Sequence, residues 1–369
     1  SRWISKRKMM KNRSDFVKRS LTVIGLLILV LIIVSCVGFT GADNGAVSPP
    51  SDAEAAPPVE KKEITISMVG DMTFVKSVDT IMKKNGDGFI LGGFGPYMKK
   101  SHIVLGNLET SVSKRGKAIE NKQYTFRSRP EVMKVLKDNN FAAVSIANNH
   151  ILDYGMEAYL DTLDNLKKHG LLYAGGGKNK EEADKGVIIE KDGIKVGFLA
   201  FSKVIHSVDW YAKKNRPGIV GAYKVQEPSF VKTIKEMRKN CDVLVVSVHW
   251  GAEGSDQIRD EEQYIGHSMI DAGADIIMGH HPHVVQGIEI YKEKPIFYSF
   301  GNFIFYNFKS PLSNQTMMAT VTVDDKGNIS KVNIVPGKII NGKPTPMEGV
   351  EREKFIKYFN GLNINYYVD

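Results

Sequence analysis

Only two cysteines, Cys36 and Cys241, occur in the 369-residue chain, and they lie far apart. A disulfide framework and a Cys-rich zinc module are thereby excluded. Cys241 stands alone just before the apolar run DVLVVSV and reads as a small buried residue. Repeats of solenoid length are absent, which excludes stacked-repeat architectures. Charge is missing from Ser20 to Ala42, a stretch of 23 residues. A basic surface is also missing from most of the chain. Residues 1–20 hold eight Lys and Arg against Asp15 alone, so they account for +7 of the net +9 and leave +2 for residues 21–369. A near-neutral domain has no electrostatic footprint for a phosphate backbone, so nucleic acid is excluded as a partner.

The uncharged stretch contains LTVIGLLILVLIIV at Leu21–Val34, apolar on every side. About 20 such residues span the hydrocarbon core as a helix, and a basic block before them stays on the cytoplasmic side. Ile33-Val34-Ser35-Cys36 also has the form of a lipobox, with Met10 opening a signal peptide of ordinary length. Signal anchor and lipoprotein signal both remain open. Either one expects the protein at the cell membrane, with everything after residue 40 on the extracytoplasmic face.

The expected organisation is a basic n-region at 1–20, an anchor or signal at 21–40 and a flexible linker at 41–62. A domain at 63–338 and a C-terminal extension at 339–369 follow. The linker GADNGAVSPPSDAEAAPPVEKK is rich in Pro, Ala and acids. From Ile64 on, short apolar strands alternate with helical patterns of 10–15 residues, which indicates an α/β domain. Late hairpins at residues 317–335 indicate a mixed sheet.

Polar groups follow the strand runs directly, where α/β folds gather ligands. They are Gly70-Asp71, Gly106-Asn107-Leu108-Glu109, Asn148-Asn149-His150 with Asp153, His249-Trp250-Gly251, Gly279-His280-His281-Pro282-His283 and Gly301-Asn302. Each alone reads as a turn, a cap or a structural histidine. Three His within four residues, in a chain with nine, change that balance. In an extended segment His281 and His283 would share one face. Asp71, Glu109, Asn149, His249, His281 and His283 together offer the oxygen and imidazole donors that Mn, Fe or Zn accepts. His150 with Asp153 is the candidate catalytic pair.

The ordered motifs SMVGDM, GNLE, SIANNHILDYG, SVHWGAE, DAGADIIMGHHPHVVQGIE and IFYSFGNFIF resemble the CapA/PgsA family of poly-γ-glutamate capsule biosynthesis proteins. The resemblance covers about residues 64–336. That family is similar to calcineurin-like metallophosphoesterases, which implies a four-layer α/β/β/α sandwich with one or two divalent metal ions. It implies Asp71, Asn149, His249, His281 and His283 as ligands, with His280 a rival to His281, and His150 as general acid. Two departures stand out. Thr73 replaces the His of Asp-x-His, and Asn107 with Glu109 replaces the metal-bridging Asp. The implied function is capsule biosynthesis with a metal-dependent hydrolase-type site acting on an anionic polymer or a phosphoester. The alternative is a non-catalytic scaffold or export subunit that binds the other members of a polymer synthase complex.

Overall fold

The computed structural model describes residues 62–368. The basic segment, the apolar run and all of the expected linker except Lys62 lie outside the described residues. No helix among the described residues is long and apolar enough to cross a membrane.

In chain order the main elements are β1 (Glu63–Met72), α1 (Ser77–Asn85), β2 (Ile103–Leu108), α2 (Val132–Asp138), β3 (Phe141–Ser145), α3 (Gly155–Lys168) and β4 (Leu172–Ala174). Then come β5 (Val187–Lys191), β6 (Ile194–Ser202), α4 (Glu227–Arg238), β7 (Val243–His249), α5 (Asp260–Ala272) and β8 (Ile276–His280). The last are β9 (Ile288–Tyr291), β10 (Lys294–Phe297), β11 (Asn302–Ile304), β12 (Gln315–Asp324), β13 (Ile329–Ile340), β14 (Lys343–Pro346) and α6 (Gly349–Leu362). The larger sheet has the order β14-β13-β12-β1-β2-β3-β4, with β11 added beside the end of β1. The smaller has the order β9-β10-β8-β7-β6-β5. Both are mixed. The run β1-β2-β3-β4 and the run β6-β7-β8-β10 are parallel, and antiparallel hairpins close the edges.

Alternation along each strand explains how the sheets stack. Ile64, Ile66 and Met68 of β1 pack with Val196 and Phe198 of β6 and Val243 and Val245 of β7 in a core between the sheets. The opposite faces are also covered. Val69 and Met72 meet Val135 and Leu136 of α2 and Tyr159, Leu163 and Leu166 of α3. Leu244, Val246 and Val248 meet Phe230 and Ile234 of α4 and Ile265 and Met269 of α5. A strand covered on both sides must be apolar at nearly every position, as DVLVVSV is. Each buried Val, Leu or Ile contributes about 1.5–3 kcal/mol relative to exposure. Cys241 lies buried in the α4–α5 core.

The division at 338 does not hold. β13 runs on to Ile340, and β14 pairs with it in the larger sheet. Asn341 (φ 52°) and Gly342 (φ 79°) form the two-residue turn between them, the backbone that an Asn-Gly pair adopts readily. Phe355, Ile356 and Phe359 of α6 enter the inter-sheet core. The segment after 338 is therefore part of the domain.

Candidate metal centre

The parallel strands of both sheets end on one side of the molecule, and the polar motifs follow those ends. Register puts Asp71 beside Asn107 and beside Asn302 in the larger sheet, and His249 beside His280 in the smaller. The glycines before two of these residues permit the close approach. A Cβ on Gly70 would lie 1.9 Å from the Gly301 carbonyl oxygen, and one on Gly279 would lie 2.0 Å from that of Tyr298. Only glycine fits such contacts without moving backbone.

Asp71, Glu109, Asn149, His249, His281 and His283 are all buried. Five of them share ligand groups in one cluster, and Asn149 joins through its Oδ1, 2.9 Å from His249 Nε2. Glu109 is at the centre of the cluster. Its Oε1 lies 3.6 Å from His249 Nε2, 3.8 Å from His283 Nε2 and 4.0 Å from His150 Nε2. Donors on one transition-metal ion, each at about 2.0–2.3 Å from it, stand roughly 3–4.5 Å apart. Three groups among the described residues have all their ligand atoms within 4.8 Å of one another, and two of them are Glu109-His249-His281 and Asp71-Glu109-His283. Glu109 belongs to both groups. A third group joins the exposed Glu253 to His281 and His283.

The donor set fits a cation. Both Glu109 carboxylate oxygens and His281 Nδ1 are buried without a hydrogen-bond partner. Buried polar atoms are rarely left so, and an ion would satisfy them. Burial, reinforced by Asp71 and Glu253, pushes the Glu109 carboxyl well above its ordinary range. Burial also works to raise Asp71, but the adjoining His280, His283 and His249 hold it well below the usual carboxylate range. Burial takes His249 well below the usual imidazole range, and takes His281 to about 3 with help from His283. Neutral imidazole is the ligand form. Two carboxylates balance one divalent ion; with two ions, an anionic substrate would offset the remaining charge.

The chain does not place His281 and His283 by the extended geometry expected from their spacing. His281 has φ 97° and His283 has φ 57°, so both turn through the left-handed region. Strain of this kind survives where surrounding contacts fix the backbone. Here the His281 N–H donates to Asp71 Oδ2 at 3.1 Å, and His283 Nδ1 contacts Asn302 Oδ1 at 2.8 Å. His280 stands against Asp71, 3.1 Å from Nδ1 to Oδ1, but is in none of the three ligand groups. The buried hydroxyl of Thr73 lacks a hydrogen-bond partner.

His150 and Asp153 adjoin the cluster. His150 Nδ1 lies 2.7 Å from Asp153 Oδ2, which also accepts the Phe126 N–H at 2.8 Å. The Phe126 ring stacks on the imidazole at 4.2 Å. This leaves Nε2 facing Glu109. Burial lowers the His150 pKa while Asp153 opposes it. Asn148 joins two loops. Its amide donates to Asn107 Oδ1 at 3.1 Å and to the Leu108 carbonyl at 2.9 Å, and its Oδ1 accepts the His150 N–H.

Sequence reading missed Lys122, whose ammonium contacts Asp153 Oδ1, the Asn149 carbonyl and His150 Nδ1. It sits in a polar loop with no motif around it. Asn302 gives its amide to the carbonyls of His283 and Ser313 and so fixes the histidine turn.

Residues 65–307 match the family described as bacterial capsule synthesis protein PGA_cap. The chain is 36% identical over 245 residues to the PGA biosynthesis protein CapA of Bacillus subtilis (strain 168), covering 66% of this chain and 63% of that one. It is 32% identical over 301 residues to the capsule biosynthesis protein CapA of Bacillus anthracis, covering 80% and 72%. The chain thus spans a little under two thirds of the first relative's length. A solved 5'-nucleotidase precursor from Thermus thermophilus aligns with TM-score 0.42 and 13% identity, over 78% of this chain and 55% of that one. Likeness at that level is too slight to equate the folds.

Proposed function

The chain belongs to the bacterial capsule synthesis protein PGA_cap family, and from that membership we propose a membrane-anchored, extracytoplasmic protein of poly-γ-glutamate capsule biosynthesis with a metal-dependent hydrolase-type site. The observation that carries the site is the partnerless buried Glu109 carboxylate among His249, His281, His283 and Asp71. Asp71, Glu109, Asn149, His249, His281 and His283 would hold Mn, Fe or Zn. Such an ion, when bound, acidifies a water and polarises a phosphoryl or acyl oxygen. Two sheets back to back with helices outside, and ligands at the strand ends, also support a metallophosphoesterase-type domain.

The chain's own residues supply orientation and a proton path. Asp153 fixes the His150 ring through Nδ1 and leaves Nε2 toward the cluster. A leaving group beside Nε2 would take its proton from His150, and Asp153 stabilises the imidazolium that precedes the transfer. Lys122 holds Asp153 and the Asn149 backbone in place.

A scaffold role is favoured instead by Thr73 and Asn107, which replace two donors of the metallophosphoesterase pattern. His150→Ala separates the readings. A hydrolase keeps its metal and fold but loses about 10²–10⁴-fold in turnover and changes polymer yield or length in cells. Unchanged polymer, with the protein still at the surface, would make this a scaffold.

A further inference from the structure

A groove of about 340 Å³ opens beside α1, lined by Lys76, Lys83, Lys114, Arg127 and Arg129 with Asp79 as its only acid. In a domain whose charges nearly cancel, such a concentration needs a reason. Three of the cations are already paired. Lys83 and Arg129 share Asp79, Arg129 also takes Asp87, and Lys114 takes Glu131 at 3.1 Å. Lys76 and Arg127 have no carboxylate partner among the described residues. Arg127 gives Nη1 to the carbonyls of Arg115 and Gly116 and lies 4.3 Å from the Tyr154 ring centroid.

Lys76 connects this groove to the metal cluster. Its backbone sits at φ 54°, unusual for a residue with a side chain, and it is exposed at the head of α1. Its ammonium stands 4.1 Å from the Tyr306 ring centroid, 5.2 Å from that of Tyr124 and 5.8 Å from that of Phe126. Phe126 is the ring stacked on His150. One ring therefore separates the free ammonium from the proposed proton carrier. Rings at this distance hold a cation in position without neutralising it.

We propose that this groove is the track for a polycarboxylate chain, with Lys76 and Arg127 gripping its free carboxylates as it approaches the histidine cluster. Regularly spaced carboxylates can pair with both open cations and exchange with Asp79 and Glu131 at the paired ones. This assignment rests on the poly-γ-glutamate reading above.

The test measures binding of defined-length poly-γ-glutamate to the full chain in detergent, with and without chelator, against inorganic polyphosphate of matched charge. Lys76→Gln with Arg127→Gln should weaken polyglutamate about two- to thirtyfold, since two ion pairs near the surface are lost. Lys354→Gln with Lys357→Gln on α6 removes the same charge from residues that do not line the groove and should change binding less than about twofold, as expected for solvent-screened charges outside the contact. Thermal melts check that each variant is folded. Wild-type affinity in the groove variant overturns the track, as does a groove that discriminates for polyphosphate and leaves polyglutamate unbound. Groove-dependent binding that persists in chelator, with no turnover on adding metal, upholds the track and removes the hydrolase. Turnover that is indifferent to Lys76 and Arg127 does the reverse.

Discussion

Glu109 is the residue on which the metal reading turns. Its carboxyl is buried with neither oxygen bonded, and burial with Asp71 and Glu253 nearby drives it toward the neutral form. An ion between Asp71, His249, His281 and His283 would reverse that preference. Glu109→Gln keeps shape and removes charge, so metal affinity should fall by at least about a hundredfold, judged against the 10–100-fold typical of supporting residues. The metal-free melting temperature should change little, because Gln preserves the shape of the buried carboxyl group and removes a charge that burial disfavours. Competition with a chelating dye, alongside a melt, checks both. The histidines make a separate prediction about pH. His150, His249 and His281 all have folded pKa values below their unfolded ones. Their contribution is present above the unfolded value of about 6.5 and is lost as pH falls below it. Glu109, raised, acts in the opposite sense. The three histidines outweigh the one carboxyl, so the metal-free chain should lose stability as pH falls below about 6.5. Urea titrations in chelator at pH values of about 7.5, 6.5 and 5.5, spanning the ordinary imidazole range, measure it. Stability that is flat or rises with acid would contradict the protonation states.

At the scale of elements, the site depends on strands that can crowd one another at their ends. Gly70→Ala and Gly279→Ala each drive a Cβ into a carbonyl oxygen, so each should destabilise by at least about 1–3 kcal/mol and disturb the adjoining ligand. Gly88→Ala, with open space around it, should change stability by less than about 1 kcal/mol. Urea unfolding compares the three. Equal effects would mean that the strand ends are looser than these contacts indicate. The strands themselves were legible because coverage on both faces demands uninterrupted apolar residues, as in β7. The strand-end motifs were legible because chain order alone puts them on one side of parallel sheets. The tail after 338 was not, since its Asn-Gly turn lies in a polar stretch and α6 buries only part of one face. The turn at His281–His283 was not, because two positive-φ residues within one loop leave no mark in side-chain spacing. Lys122 was hidden for a related reason: its partners come from a different loop 27–31 residues away.

Across the whole molecule, the two sheets supply different halves of one cluster. Asp71, Glu109 and Asn149 come from the larger sheet, and His249, His281 and His283 from the smaller. A bound ion would therefore tie the sheets together. Metal at a hundred times its dissociation constant should add about 2.7 kcal/mol and raise the melting temperature by roughly 5 °C or more. The most direct measurement is the metal content of the purified full chain. Cells would be grown with Mn, Fe and Zn, and the protein dialysed against metal-free buffer before elemental analysis. One or two equivalents per chain are expected in the wild type, removed by chelator and absent from the His281→Ala, His283→Ala double variant. A folded wild-type chain with less than about a tenth of an equivalent, and no rise in melting temperature when any of the three metals is added, would contradict the account.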